Sequence, residues 1–187
     1  MIYLAKVGRE LSEKELSLFL ELTDEERKTK IKKQGIGRRT TASLVGDVLV
    51  RLAIKKEYGI NLKNINFSHE EKGKPYLSDY PSVHFNVSHS GDVVVCAVSD
   101  SPVGVDVEKI REVKENVKKK VCTEEEFEKL KLSSDEDAEF IKLWTMKEAV
   151  VKKRGSGIAT SGFKTCLEGE NVSSKRFEDY IISVLYQ

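Results

Sequence analysis

In SPVGVDVEKI (101–110), Val103, Val105 and Val107 alternate with Gly104, Asp106 and Glu108. A period of two predicts a β-strand with the valines on one face and both acids on the other. VHFNVSHSGDVVVCAVS (83–99) sets Val83, Phe85 and Val87 against His84, Asn86 and Ser88. It then turns at SGD and continues into an apolar run at 93–98, a hairpin whose second strand is largely buried. MIYLAKVGRE predicts a first strand and DYIISVLYQ a last one.

A helical period governs TTASLVGDVLVRLAIKKEYG (40–59), where Leu44, Val48 and Leu52 with Val45 and Leu49 form one stripe and Gly59 the stop. LTDEERKTKIKK predicts a helix with Thr23 as N-cap and Glu26 as its capping-box partner, broken at Gly35 and Gly37. VKENVKKKVCTEEEFEKLKL (113–132) reads as one charged helix, and DAEFIKLWTMKEAVVKKRG (137–155) as a strong helix ended by Gly155. EEKGKPYL (70–77) is a turn set by Gly73 and Pro75. DVVVCAV from Asp92 and DYIISVL from Asp179 echo each other 87 positions apart. The echo points to two similar halves, 1–102 and 103–187, in an α+β fold with antiparallel sheets.

Of the 187 residues, 39% are hydrophobic and 34% charged, the balance of an ordered globular protein. No apolar run approaches the roughly 18 residues that span a bilayer, and the N-terminus reads as a strand, not a signal peptide. Cys96, Cys122 and Cys166 show no metal-binding spacing and suggest reduced thiols, so a cytoplasmic location and no membrane partner are expected. A net charge of +1 excludes a polyanion binder of the whole-molecule kind. RKTKIKKQGIGRR (27–39) nevertheless holds seven basic residues and no acid. By itself it reads either as a solvated helix face or as a phosphate-binding patch. Without a recognition motif or interleaved aromatics, no nucleic-acid partner is expected.

Asp106 and Glu108 lie roughly 6.5 Å apart along one strand face. They are either exposed acids facing water or oxygen ligands for a hard cation such as Mg²⁺. Glu148 and Lys152 share a helix face with Trp144 one turn earlier. They form an ordinary i,i+4 pair or a third metal carboxylate with a phosphate clamp. His89, with Ser88, sits after the strand where a phosphate could accept hydrogen bonds, or is a surface histidine. H-E-x-x-H, G-x-S-x-G and Walker patterns are absent.

GVDVEK, FNVSHSGD and WTMKEAVVK, in this order and spacing, resemble the signatures of the 4′-phosphopantetheinyl transferases, most closely the larger, surfactin-type class. EKGKPYL and SLVGDVLVR resemble it too. The resemblance implies two similar α+β halves related by a pseudo-twofold, with the active site between them. It implies Mg²⁺-dependent (or Mn²⁺-dependent) transfer of the phosphopantetheine arm of coenzyme A to a serine of an apo acyl or peptidyl carrier protein, releasing 3′,5′-ADP. Fatty-acid, polyketide and non-ribosomal peptide carriers all fit. Asp106, Glu108 and Glu148 would hold the metal, and Lys152, Ser88 and His89 would meet the phosphates. Lys74 would reach the adenosine end. Arg27, Lys30 and Ser43 would contact the 3′-phosphate and nucleotide, with Arg38 and Arg39 as rivals. Glu148 would be the base, directly or through a water. A carrier would dock beside 117–130, attracted by Lys118, Lys119 and Lys120. The stretch after Lys152 is shorter than in typical members, so a pared-down second half is expected, in a chain long enough to act as a monomer. The competing readings are a non-enzymatic coenzyme A or nucleotide-binding module and a basic interaction domain.

Overall fold

A computed structural model describes residues 1–35, 37–155 and 167–186. The first half runs β1 (Ile2–Lys6), α1 (Glu13–Glu21), α2 (Glu25–Gln34), α3 (Arg38–Tyr58), a short hairpin of β2 (Ser68–His69) and β3 (Pro75–Tyr76), then β4 (His84–Ser90) and β5 (Val93–Ser99). The second runs β6 (Gly104–Lys109), α4 (Glu115–Val121), α5 (Glu124–Lys131), α6 (Glu136–Arg154), β7 (Ser173–Phe177) and β8 (Tyr180–Leu185).

The halves share one topology. In each, a first strand leads to helices, and a hairpin returns to place its second strand in the middle. The sheets are ordered β1-β5-β4 and β6-β8-β7, all antiparallel. The echoing segments, β5 and β8, occupy the same slot. The predicted α+β fold with two similar halves is what the structure has. Among the described residues, the second half likewise holds one three-stranded sheet. Its hairpin strand β7, SSKRF, is largely polar and had no readable period.

The sheets meet through valines. Val93, Val95 and Ala97 of β5 pack against Val103, Val105 and Val107, with Tyr180 and Val184 completing the layer. Each such valine contributes roughly 1.5–3 kcal/mol when fully buried. The other face of β5 packs beneath α3: Val94 joins Ala42 and Val45, while Cys96 and Val98 join Val50, Ala53 and Ile54. Burial on both faces explains why 93–98 lacks alternation.

β6 and β4 are edge strands of separate sheets, and side chains join them. Asn86 Oδ1 accepts from the Val105 amide at 3.0 Å, and Ser90 Oγ from the Lys109 amide at 3.2 Å. The polar alternation of β4 thereby satisfies backbone donors that an edge strand leaves open.

Several expectations change. Asp24, not Thr23, caps α2, its Oδ1 accepting from the Arg27 amide, while the Thr23 hydroxyl turns back to the Leu20 carbonyl. Leu52 is exposed; α3 is instead buried on several sides, with Arg51 inside. The charged helix 113–132 is two helices, because the Thr123 side chain caps α5 in a capping box with Glu126. Lys118 is buried and paired with Glu136 and Asp137, so it cannot attract a carrier, and Lys119 pairs with Glu115. His89 lies inside β4, not after it. Cys166 and most of the segment between Lys152 and β7 lie outside the described residues.

At Gly104 the backbone of α6 lies directly on β6. A Cβ there would sit 1.9 Å from the Ala149 carbonyl oxygen and 2.6 Å from the Lys153 nitrogen. The obstacle is backbone and cannot rotate away. Gly104→Ala is therefore expected to lower the stability of the fold by about 2 kcal/mol or more, read by urea unfolding. An unchanged midpoint would show that α6 can lift off β6 freely.

Candidate active site

The polar face of β6 carries Gly104, Asp106 and Glu108, and Gly104 brings α6 close enough for that helix to complete the site. Asp106 is buried. Its Oδ1 accepts from Lys152 Nζ at 2.6 Å and from Ser88 Oγ at 2.7 Å, and Lys152 Nζ reaches Ser88 Oγ at 2.8 Å. One triangle thus joins β4, β6 and α6 across both halves. Its second oxygen, Oδ2, is among the few buried side-chain atoms of the described residues with no hydrogen-bond partner.

Glu148, one turn before Lys152, is also buried. Desolvation raises its carboxyl to about 7, Asp106 and Glu108 push the same way, and Lys152 opposes them. Burial likewise raises Asp106 despite its bonds to Lys152 and Ser88. Glu108 is turned elsewhere, accepting from Ser90 Oγ at 2.9 Å and Arg111 Nη1 at 3.0 Å. The three acids are accordingly not drawn into a ready three-ligand cluster; among the described residues no such group occurs. A buried carboxylate oxygen without a partner, beside a second acid held near neutrality, is nevertheless a donor set suited to a hard divalent cation.

Glu148, Lys152, Asn86 and Lys74 line one cleft of about 300 Å³. Lys74 Nζ donates to the Lys153 carbonyl at 2.7 Å, a cation against the C-terminal turn of α6. Burial holds its ammonium below the usual lysine range. Pro75 and Val87 are shared with a second cavity of about 200 Å³, walled by Arg27, Lys30, Ser43 and Phe67. Arg27 Nη2 donates to Ser43 Oγ at 2.5 Å there.

Arg38 and Arg39 are exposed at the start of α3 and line neither cavity. His89 is exposed; partial desolvation and the charges of Lys152 and Arg39 lower its imidazole below the usual histidine range. Sequence reading overlooked Gly104, Asn86 and Ser90. All three stand in alternating strand patterns, which give the face of a residue but not what lies opposite it.

Residues 10–101 match the family model of the 4'-phosphopantetheinyl transferase N-terminal region, and residues 102–182 that of the 4'-phosphopantetheinyl transferase superfamily. The chain is 35% identical over 161 residues to the 4'-phosphopantetheinyl transferase Sfp of Bacillus subtilis (strain 168), covering 84% of this chain and 71% of that protein. The chain belongs to the 4'-phosphopantetheinyl transferase family. It is similar as well to the 4'-phosphopantetheinyl transferase psf-1 of Bacillus pumilus, 38% identical over 76% of this chain and 62% of that one. The corresponding figures for the 4'-phosphopantetheinyl transferase gsp of Aneurinibacillus migulanus are 38%, 62% and 49%. As a phosphopantetheinyl transferase of the Sfp type, the chain is an enzyme, and its two family matches adjoin between β5 and β6.

The raised Glu148 carboxyl has a consequence for stability. Between its ordinary value of 4.5 and about 7 the folded transferase keeps a proton that the unfolded chain has released. Stability from this group therefore falls as pH rises through that interval, by about 2 kcal/mol once the open side of the cleft is allowed for. In metal-free buffer, Glu148→Gln is expected to flatten the fall in Tm between pH 5 and pH 8. An identical slope in variant and wild type would remove Glu148 from that titration.

Proposed function

We propose that this transferase moves the 4′-phosphopantetheine arm of coenzyme A onto a serine hydroxyl of an apo acyl or peptidyl carrier protein, releasing 3′,5′-ADP. The observation that carries the reading is the cleft lined by Glu148 and Lys152 of one half and Lys74 of the other, with Lys152 held by the buried Asp106 and Ser88. The halves are taken as 1–102 and 103–187, and the protein as a cytoplasmic monomer without nucleic-acid partners.

Arg27, Lys30 and Ser43 hold the nucleotide end and its 3′-phosphate in the smaller cavity. Arg38 and Arg39, outside its walls, are secondary candidates. Lys74, in the larger cleft next to the shared Pro75, reaches the adenosine end. Ser88, His89 and Lys152 contact the pyrophosphate, Lys152 from the wall of the cleft itself. Asp106 and Glu148 would hold Mg²⁺, or Mn²⁺ in its place, and Glu108 would be the third carboxylate. The cation, when bound, supplies Lewis-acid neutralisation of the pyrophosphate.

Attack by the carrier serine oxygen on the β-phosphorus forms one phosphorus–oxygen bond and breaks that to 3′,5′-ADP. The serine proton passes to Glu148, directly or through a water. A cation held by the same carboxyl would lower its basicity, which favours relay of the proton through a water. Lys152 stabilises the charge that grows on the leaving phosphate. In the resting protein its ammonium is held by Asp106 and Ser88, so it is in place before substrate arrives.

Intact mass of an apo carrier incubated with the protein, coenzyme A and Mg²⁺ tests this reading. A gain of one phosphopantetheine arm is expected, lost with EDTA and recovered with Mn²⁺. No gain across fatty-acid and peptide carriers, with coenzyme A still bound, would favour a binding module instead. Glu148→Gln is expected to reduce turnover at least a hundredfold, within the range for a positioned base, while coenzyme A binding persists in part. Near-normal turnover would exclude Glu148 from proton transfer.

A further inference from the structure

Arg51 is 2% exposed and the largest of the fully buried side chains. Its Nε donates to Asp47 Oδ1 at 2.5 Å, its Nη1 to the Ile65 carbonyl at 2.5 Å and its Nη2 to Asp24 Oδ2 at 2.7 Å. Its guanidinium carbon lies 4.5 Å from the centre of the Phe67 ring. On those contacts alone it ties α2 and α3 to the turn before β2.

Both carboxylates also reach Arg27. The other oxygen of Asp24, Oδ1, accepts from the Arg27 amide at 2.8 Å, and Asp47 Oδ2 lies 3.5 Å from Arg27 Nε. Arg27 Nε is buried and makes no hydrogen bond. Its guanidinium is therefore steered by charge and by Ser43, not locked by a fork of its own. Asp24, Asp47 and Arg27 all wall the smaller cavity, whereas Arg51 does not. Arg51 stands behind the two acids, and they stand behind Arg27.

We propose that Arg51 is a positioning residue for recognition of the coenzyme A 3′-phosphate. It neutralises Asp24 and Asp47 and so leaves the Arg27 guanidinium available to the cavity. The inference rests on the reading that Arg27 meets that phosphate. Without Arg51, two uncompensated carboxylates border the cavity; they take Arg27 into their own ion pairs and repel a dianion. A guanidinium suits the task because one planar fork reaches both acids and a carbonyl at once, which an ammonium cannot.

The test is calorimetric binding of coenzyme A and of 3′-dephospho-coenzyme A to the whole protein and to its Arg27→Met, Arg51→Met and Arg51→Lys variants. Arg51→Met is expected to weaken coenzyme A roughly tenfold or more, leaving the dephospho compound within about twofold. KM for coenzyme A should rise with kcat retained. In the Arg27→Met background the same change should cost less than in the wild type, because the part of its effect that passes through Arg27 is already lost and only repulsion by the two acids remains. Equal weakening of both ligands, or none, overturns the proposal and leaves Arg51 a structural residue. If Arg27→Met itself fails to distinguish the two ligands, the phosphate assignment falls and the proposal with it. Should Arg51→Met lose cooperative unfolding, Arg51→Lys, which keeps the charge between the acids, carries the test. It should show the same selective loss in smaller degree, and unaltered preference for coenzyme A overturns the proposal.

Discussion

Everything around the cleft depends on keeping the Asp106 carboxylate buried. A lone carboxylate in a dry interior is strongly unfavourable, and three elements combine to make it tolerable. The β4 strand supplies the Ser88 hydroxyl, α6 supplies the Lys152 ammonium, and β6 holds the acid itself. None of the three belongs to the same layer as the other two. The charge therefore fixes the distance between the halves at the point where a ligand would enter.

The valine layer and this polar triangle divide the work. Apolar burial between β5 and β6 supplies non-directional stabilisation. Directional bonds along β4 and β6, from Asn86, Ser88 and Ser90, set which residue lies opposite which. Each of the pairs Ser88–Asp106 and Ser90–Glu108 spans the same 18 positions, as expected of two strands running in step. A slip of one residue would turn every acid toward the valine layer.

Much of this was legible because strands announce their faces. The alternations in 83–90 and 103–109 placed Asp106, Glu108 and Ser88 on polar faces, and the four-residue spacing of Glu148 and Lys152 placed them together. The motifs that carry the family resemblance are these same patterns. What stayed hidden depended on partners distant in sequence. Arg51 sits in an apolar helical stretch, and beyond its helix neighbour Asp47 its burial rests on Asp24, Ile65 and Phe67. Lys118 looks solvated until Glu136 and Asp137 fold against it. The Thr123–Glu126 capping box was local and readable, yet the continuous charge around it masked the helix break. Strand β7, polar and at a sheet edge, had no apolar period to show.

Gly104 illustrates a different kind of constraint. It touches no ligand and offers no functional group, yet the main chain of α6 leaves it no room for one more carbon. A position of this sort is defined by what cannot be added to it. Any side chain there would displace Glu148 and Lys152 together, so an activity assay would score the residue as though it took part in the chemistry. Only when turnover and unfolding are read on the same sample does a spacer separate from a reactant.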